Sequence, residues 1–195
     1  DRAGVHVYAD GAWKTHAAEA GLDDNPVMAL TEDPAGRLWA ATSPFFDAKT
    51  GRYARKNLHR FDGVGWRHWS PAEGLGYWSS RDVRVLSDGS VAVATNGGVS
   101  VLKGEALRTL DGSDGKDALR AAVLAPLGQG ALLTPHPDAG LTVSEEDSVR
   151  QVTSRTGLFT DSLEAAAADG RGNVWLVAAD GRAFITTVSV LREAR

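Results

Sequence analysis

Two glycine spacings recur along this chain and leave few folds open to it. Eight residues separate Trp13 from Gly21, Trp66 from Gly74, Leu107 from Gly115 and Val149 from Gly157. Fifteen residues then separate Gly21 from Gly36, Gly74 from Gly89, Gly115 from Gly130 and Gly157 from Gly172. Successive turn glycines lie 53, 41 and 42 residues apart, the first interval lengthened by an insertion over about Ser43 to Asn57. A period near 41–42 residues suits either a four-stranded blade or a helical-hairpin solenoid. The local patterns decide between them. Val91-Ala92-Val93-Ala94-Thr95, Val99-Ser100-Val101-Leu102, Leu38-Trp39-Ala40-Ala41-Thr42 and Val174-Trp175-Leu176-Val177 are short runs bounded by turn residues, as strands are. Asp88-Gly89 and Asp180-Gly181 are strong hairpin signals. The helix-prone piece Leu163 to Ala168 is too short to stand as a helix.

The expected fold is therefore an all-β propeller. Units fall at about 17–69, 70–110, 111–152 and 153–192, each with four strands, A to D. In the second unit these are Asp82 to Leu86, Ser90 to Thr95, Val99 to Leu102 and Ala106 to Leu110. The chain opens at 5–16 with a half blade, Val5 to Tyr8 and Ala12 to His16, that matches C and D only; Val188 to Arg192 falls in the D register of the last unit. A propeller closes its ring so that only short, protected strand edges remain. Four complete blades plus a C–D half blade imply part of a larger ring, with at least two strands supplied by upstream sequence or by another chain. A closed four-blade ring with a displaced terminal strand is the other arrangement. Asp1 is not a start residue and no leader is visible, so a processed or trimmed piece is expected.

These motifs resemble the two-component regulator propeller repeats of bacteria. The pattern runs W-x-x-Y, G-L, V-x-x-L, D-x-x-G-x-L-W-x-G-T. It appears as Trp13 to His16, Gly21-Leu22, Val27 to Leu30 and Asp33 to Thr42, and again as Trp66 to Trp69, Gly74-Leu75 and Asp88 to Thr95. The last copy keeps Gly157-Leu158 and Asp169 to Leu176, and the third, Gly128 to Thr134, is degenerate. The resemblance implies a ligand-sensing or interaction propeller, often the extracytoplasmic part of a bacterial sensor protein. The family's motif residues are structural, so no catalytic residue is implied.

Composition excludes several function classes. The net charge of −4 gives no basic field for nucleic acid and no polybasic patch for a membrane. No apolar run approaches the length of a membrane span. The absence of cysteine removes disulfides, thiolate metal sites and cysteine nucleophiles, and leaves the compartment open. Neither a nucleophile elbow nor a phosphate-binding loop is present. Asp111 to Asp117 has the composition of a calcium loop, but the twelfth position is Ala122, and a solvated turn explains it. Glu145-Glu146-Asp147 reads as a hairpin tip. His6, His16, His59, His68 and His136 have no metal-ligand spacing and are expected at the surface or rim. Trp13, Trp39, Trp66 and Trp175 share the repeat register and are expected in the cores between blades. No cofactor is called for.

Antiparallel strands sort the loops onto two faces. The A–B and C–D loops are tight turns with little side chain to offer. The D–A and B–C loops hold everything irregular: the insertion, the segment Gly76 to Arg81, and Pro135 to Asp138. Long loops with aromatics concentrate binding. The candidate binding residues are Phe45, Phe46, Tyr53, Tyr77, Trp78, Arg81 and His136. The partner expected there is a small molecule, a glycan or a protein. Two other readings stay open: a propeller-fold enzyme, such as a lyase or glycosidase with a channel site, and a structural scaffold module. Loop aromatics that merely pack the insertion onto the rim would favour the scaffold.

Overall fold

A computed structural model describes residues 4–16, 21–22, 26–44, 46–47, 51–53, 57–110, 121–128, 130–145 and 148–194. The half blade is β1 (Val5–Ala9) and β2 (Ala12–His16). Blade 1 is β3 (Val27–Glu32), β4 (Leu38–Thr42), β7 (Leu58–Phe61) and β8 (Trp66–Trp69), with β5 (Phe46–Asp47) and β6 (Arg52–Tyr53) forming a hairpin of their own in the insertion. Blade 2 is β9 (Ser80–Val85), β10 (Val91–Thr95), β11 (Gly98–Lys103) and β12 (Ala106–Leu110). Blade 3 is β13 (Ala125–Gly128), β14 (Ala131–His136), β15 (Gly140–Glu145) and β16 (Ser148–Val152). Blade 4 has three strands, β17 (Leu163–Ala168), β18 (Asn173–Ala178) and β19 (Ala183–Thr187), followed by the helix α1 (Val188–Glu193). All these pairings are antiparallel and join consecutive strands, except that β4 pairs with β7 past the β5–β6 insertion, so each blade is a meander.

The repeat spacings have a backbone cause. Gly36, Gly89, Gly130 and Gly172 turn A into B with φ of 77°, 80°, 77° and 93°, a left-handed conformation that side chains resist. Gly74 ends the 3-10 turn Pro71–Glu73 at φ 100°, where its N–H bonds the Pro71 carbonyl. The leucine after each such glycine plugs a core: Leu22, Leu75 and Leu158 are buried.

Each core lies between blades. Val5, Leu22 and Ala40 seal the half blade to blade 1. Trp39, Ala41, Leu58, Trp69, Val83 and Val93 seal blade 1 to blade 2. Ala92, Ala94, Leu124 and Leu132 follow, and then Leu133, Val143, Leu163 and Leu176. At Asp33 the D-x-x-G motif shows its purpose. Its carboxylate accepts from the backbone N–H of Ala35 and Arg37, from Arg37 Nε at 2.7 Å and from Trp39 Nε1 at 2.9 Å. Burial alone would raise its pKa; the Trp39, Arg37 and Ala35 bonds outweigh that and hold it below the ordinary value. Asp169 repeats the arrangement with Arg171 and Asn173.

Three expectations need correction. The D strand expected over Val188 to Arg192 is α1, so the fourth blade keeps its place in the count with three strands and a helix. Thr187 caps that helix, Leu191 is buried in the last core, and the Arg150 guanidinium donates to the carbonyls of Leu191, at 2.7 Å, and Arg192. Docking onto blade 3 thus replaces pairing with β19. Second, Trp39 is buried and Trp66 partly so, but Trp13 and Trp175 are 70% and 47% exposed, because each lies on a blade face that no neighbouring blade covers. Third, His16, His59 and His136 are buried rather than at the rim, because hydroxyl and ring partners on adjoining strands accept them inside.

Candidate functional site

The loop that joins blade 1 to blade 2 carries the best-formed surface feature. Tyr77 and Trp78 are 48% and 41% exposed, with ring centroids 6.0 Å apart and planes within 20°. Their backbone is held from below. Gly76 N–H donates to Ser100 Oγ at 2.9 Å, Ser100 and Thr109 share a hydroxyl bond of 2.8 Å, and Thr109 Oγ1 donates to the Gly74 carbonyl. These bonds fix the direction of the middle one: Ser100 donates and Thr109 accepts. Gly76 and Gly97 approach so closely that a Cβ on Gly97 would strike the Gly76 carbonyl. Beyond the aromatics, Asn96 N–H donates to the Ser79 carbonyl, and Arg81 Nε donates to Asn96 Oδ1 at 3.2 Å. The two adjacent aromatic rings thus stand on a loop whose backbone is pinned on both sides.

The other candidates are scattered. Phe46 is exposed and pairs with Tyr53 across the β5–β6 hairpin; Phe45 lies outside the described residues. His136 belongs to β14, which runs on through Pro135, so the turn is only Pro137 to Ala139. Its ring is buried and Nε2 bonds Thr142 Oγ1 at 2.8 Å. Beside it, Thr134, His136, Thr142 and Ser144 line a cavity of about 10 Å³, space for one water at most. His136 is therefore an interior group.

Sequence reasoning missed a cross-strand pattern. Polar residues nine apart face each other across the C–D hairpin: His6 with Thr15, His59 with His68, Ser100 with Thr109, and Thr142 with Gln151. The first three pairs are hydrogen bonded at 2.8–2.9 Å, and His59 adds a 3.1 Å bond to Thr42 on the B strand. The i, i+9 spacing of polar residues was the available signal. Also missed was an apolar groove of about 430 Å³, walled by Leu158, Phe159, Phe184, Ile185, Val190 and Leu191, the last two from α1. Among the described residues no cluster of His, Asp or Glu is arranged to hold a metal ion.

Comparison with known proteins places the fold. Residues 21–43 match the family described as two component regulator propeller. The extracellular domain of the putative hybrid two component system BT3049 from B. thetaiotaomicron is similar in structure, with a TM-score of 0.66 and 17% identity, over 85% of this chain and 21% of that one. The extracellular domain of the putative one component system BT4673 from the same organism gives 0.61 and 13%, over 88% and 26%. Virginiamycin B lyase from Staphylococcus aureus gives 0.64 and 10%, over 96% and 64%. The chain thus spans about a quarter or less of the two B. thetaiotaomicron domains. No curated protein matches by sequence. In the described residues no helix is long and apolar enough to cross a membrane. This chain has a β-propeller fold, and its residues 21–43 match the two component regulator propeller family.

Proposed function

We propose that this segment is a non-catalytic recognition module, the sensing or interaction part of a larger bacterial protein on the periplasmic or extracellular side. The Tyr77–Trp78 pair carries this reading. Two large rings stand exposed on a loop whose backbone is fixed by a hydroxyl chain and a glycine contact, so binding would cost little ordering of the loop. Arg81 flanks them as a cation with an exposed side chain. Flat rings and a guanidinium suit the apolar face of a sugar or the side chains of a peptide. The similarity to extracellular domains of bacterial regulatory systems supports the same reading.

The test is a binding screen of the purified chain against arrayed oligosaccharides and peptides, run beside a Tyr77→Ala/Trp78→Ala variant. The expected result is a ligand class retained by the parent and lost by the variant, with unfolding transitions that coincide. Binding that survives the double substitution would remove this loop as the site. Turnover of a bound oligosaccharide would replace the recognition reading with an enzymatic one.

A further inference from the structure

The turn glycines put every blade in one register, and that register exposes a mismatch. Six residues before them stand Leu30, Val83, Leu124 and Ala166; three residues after stand Trp39, Ala92, Leu133 and Trp175. At each complete interface the second kind of residue shares a core with the first kind from the next blade. Trp39 clusters with Val83, Ala92 with Leu124, and Leu133 with Ala166. Two residues are left over: Leu30 is 49% exposed and Trp175 is 47% exposed.

Leu30 sits on the face of blade 1 that the half blade only partly covers. Val5 shares a core with Leu22 and Ala40 there, Ala40 being the β4 residue directly across from Leu30. On β3 itself, Leu30 and Met28 stay half exposed. Among the described residues β1 pairs with β2 alone, whereas the C strand of blades 1, 2 and 3 pairs on both sides. The chain also enters β1 as it enters a C strand after a B–C turn. Gly4 is left-handed at φ 84°, and the residues in its register, Gly98 and Gly140, open their C strands at φ 105° and 77°.

We infer that β1–β2 is the outer half of a blade whose inner two strands come from the segment of the same polypeptide that precedes Asp1. The second of those strands ends within a few residues of Gly4 and pairs antiparallel with β1. It carries a large apolar residue that covers Leu30, as Trp39 covers Val83. Among the described residues a second copy of the chain has no inner hairpin to lend: β3–β4, β9–β10, β13–β14 and β17–β18 are each bound to their own C strand.

The absence of cysteine makes thiol labelling a clean test. Leu30→Cys, with Val64→Cys in an exposed turn as reference, is placed in this chain and in the polypeptide carrying its natural N-terminal extension. In the short chain the two thiols should label at similar rates. In the extended one Leu30→Cys should slow by about tenfold or more while Val64→Cys is unchanged. Hydrogen exchange of the Val5–Ala9 amides should slow in parallel, which reads the same event without a substitution. Equal Leu30→Cys labelling with and without the extension overturns the inference. So does protection that appears in the short chain alone as its concentration rises, because a second copy would then be the occupant.

Discussion

Ser100 donates its hydroxyl proton to Thr109 at 2.8 Å, in the middle of a one-way chain from the Gly76 N–H to the Gly74 carbonyl. The outer strands of blade 2 thereby hold the loop that displays Tyr77 and Trp78. Ser100→Ala removes the acceptor for the Gly76 N–H and the donor to Thr109. The cost should be about 1–3 kcal/mol in urea unfolding, the usual consequence of stranding a buried polar group. The more specific readout is hydrogen exchange: Gly76 to Ser79 should exchange faster, while β14 and β15 in blade 3 should not change.

Trp39 and Trp175 occupy one register position in two blades, yet they should respond differently to truncation. Trp39 is buried, stacks on Trp69 at 5.4 Å between centroids, and places its indole on Asp33. Trp39→Ala should cost about 3–5 kcal/mol, as large aromatic-to-alanine changes in cores do. Trp175→Ala should fall within about 1 kcal/mol, since its ring is half exposed. Denaturant midpoints of the two variants check this directly. Comparable losses would mean that Trp175 is covered in solution.

The contrast also marks how far the sequence could be read. Glycine spacing located the strands of blade 2 within about two residues, because a left-handed turn accepts little else and the repeat samples it again and again. Spacing also placed Tyr77 and Trp78 in a D–A loop. It could not tell that Trp13 and Trp175 are uncovered, since a register position is buried only when a neighbouring blade exists. Nor could it foresee α1. Val188-Ser189-Val190 alternates as a strand does, and the contacts made by the helix found there come from Arg150 and Glu145, more than forty residues away. His136 was misplaced by a boundary error at Pro135, which usually ends a strand.

Asp33 links fold stability to pH with a defined sign. Its pKa is lowered in the folded protein, so its contribution is complete above the pKa of the unfolded chain and fades as pH falls through the folded value. Asp33→Asn should therefore be less stable than the parent at neutral pH. The two should converge as the pH drops below the ordinary aspartate value of 3.8. Urea midpoints of both proteins between neutral and acidic pH measure the difference. A gap that stays constant down to strongly acidic pH would show that the carboxylate charge is not what Trp39 and Arg37 require.

Arg150 should decide whether blade 4 ends in a helix. Six residues cannot sustain a helix unaided, so α1 depends on its tertiary contacts. These are Leu191 in the core, the Thr187 cap, the Arg192–Glu145 ion pair at 2.7 Å, and the Arg150 fork on the last carbonyls. The ion pair is partly exposed and contributes little on its own. The fork is different, because it satisfies carbonyls that a helix end leaves without partners. Arg150→Ala should raise exchange at Leu191 and its neighbours while leaving β17 and β18 protected. Arg150→Lys, which keeps the charge but loses the planar fork, should restore only part of that protection. Full restoration by lysine would assign the effect to charge at the helix C-terminus rather than to paired hydrogen bonds. The groove walled by Val190 and Leu191 gives a second readout: if α1 loosens, an environment-sensitive apolar dye that binds the parent there should bind Arg150→Ala with a changed affinity.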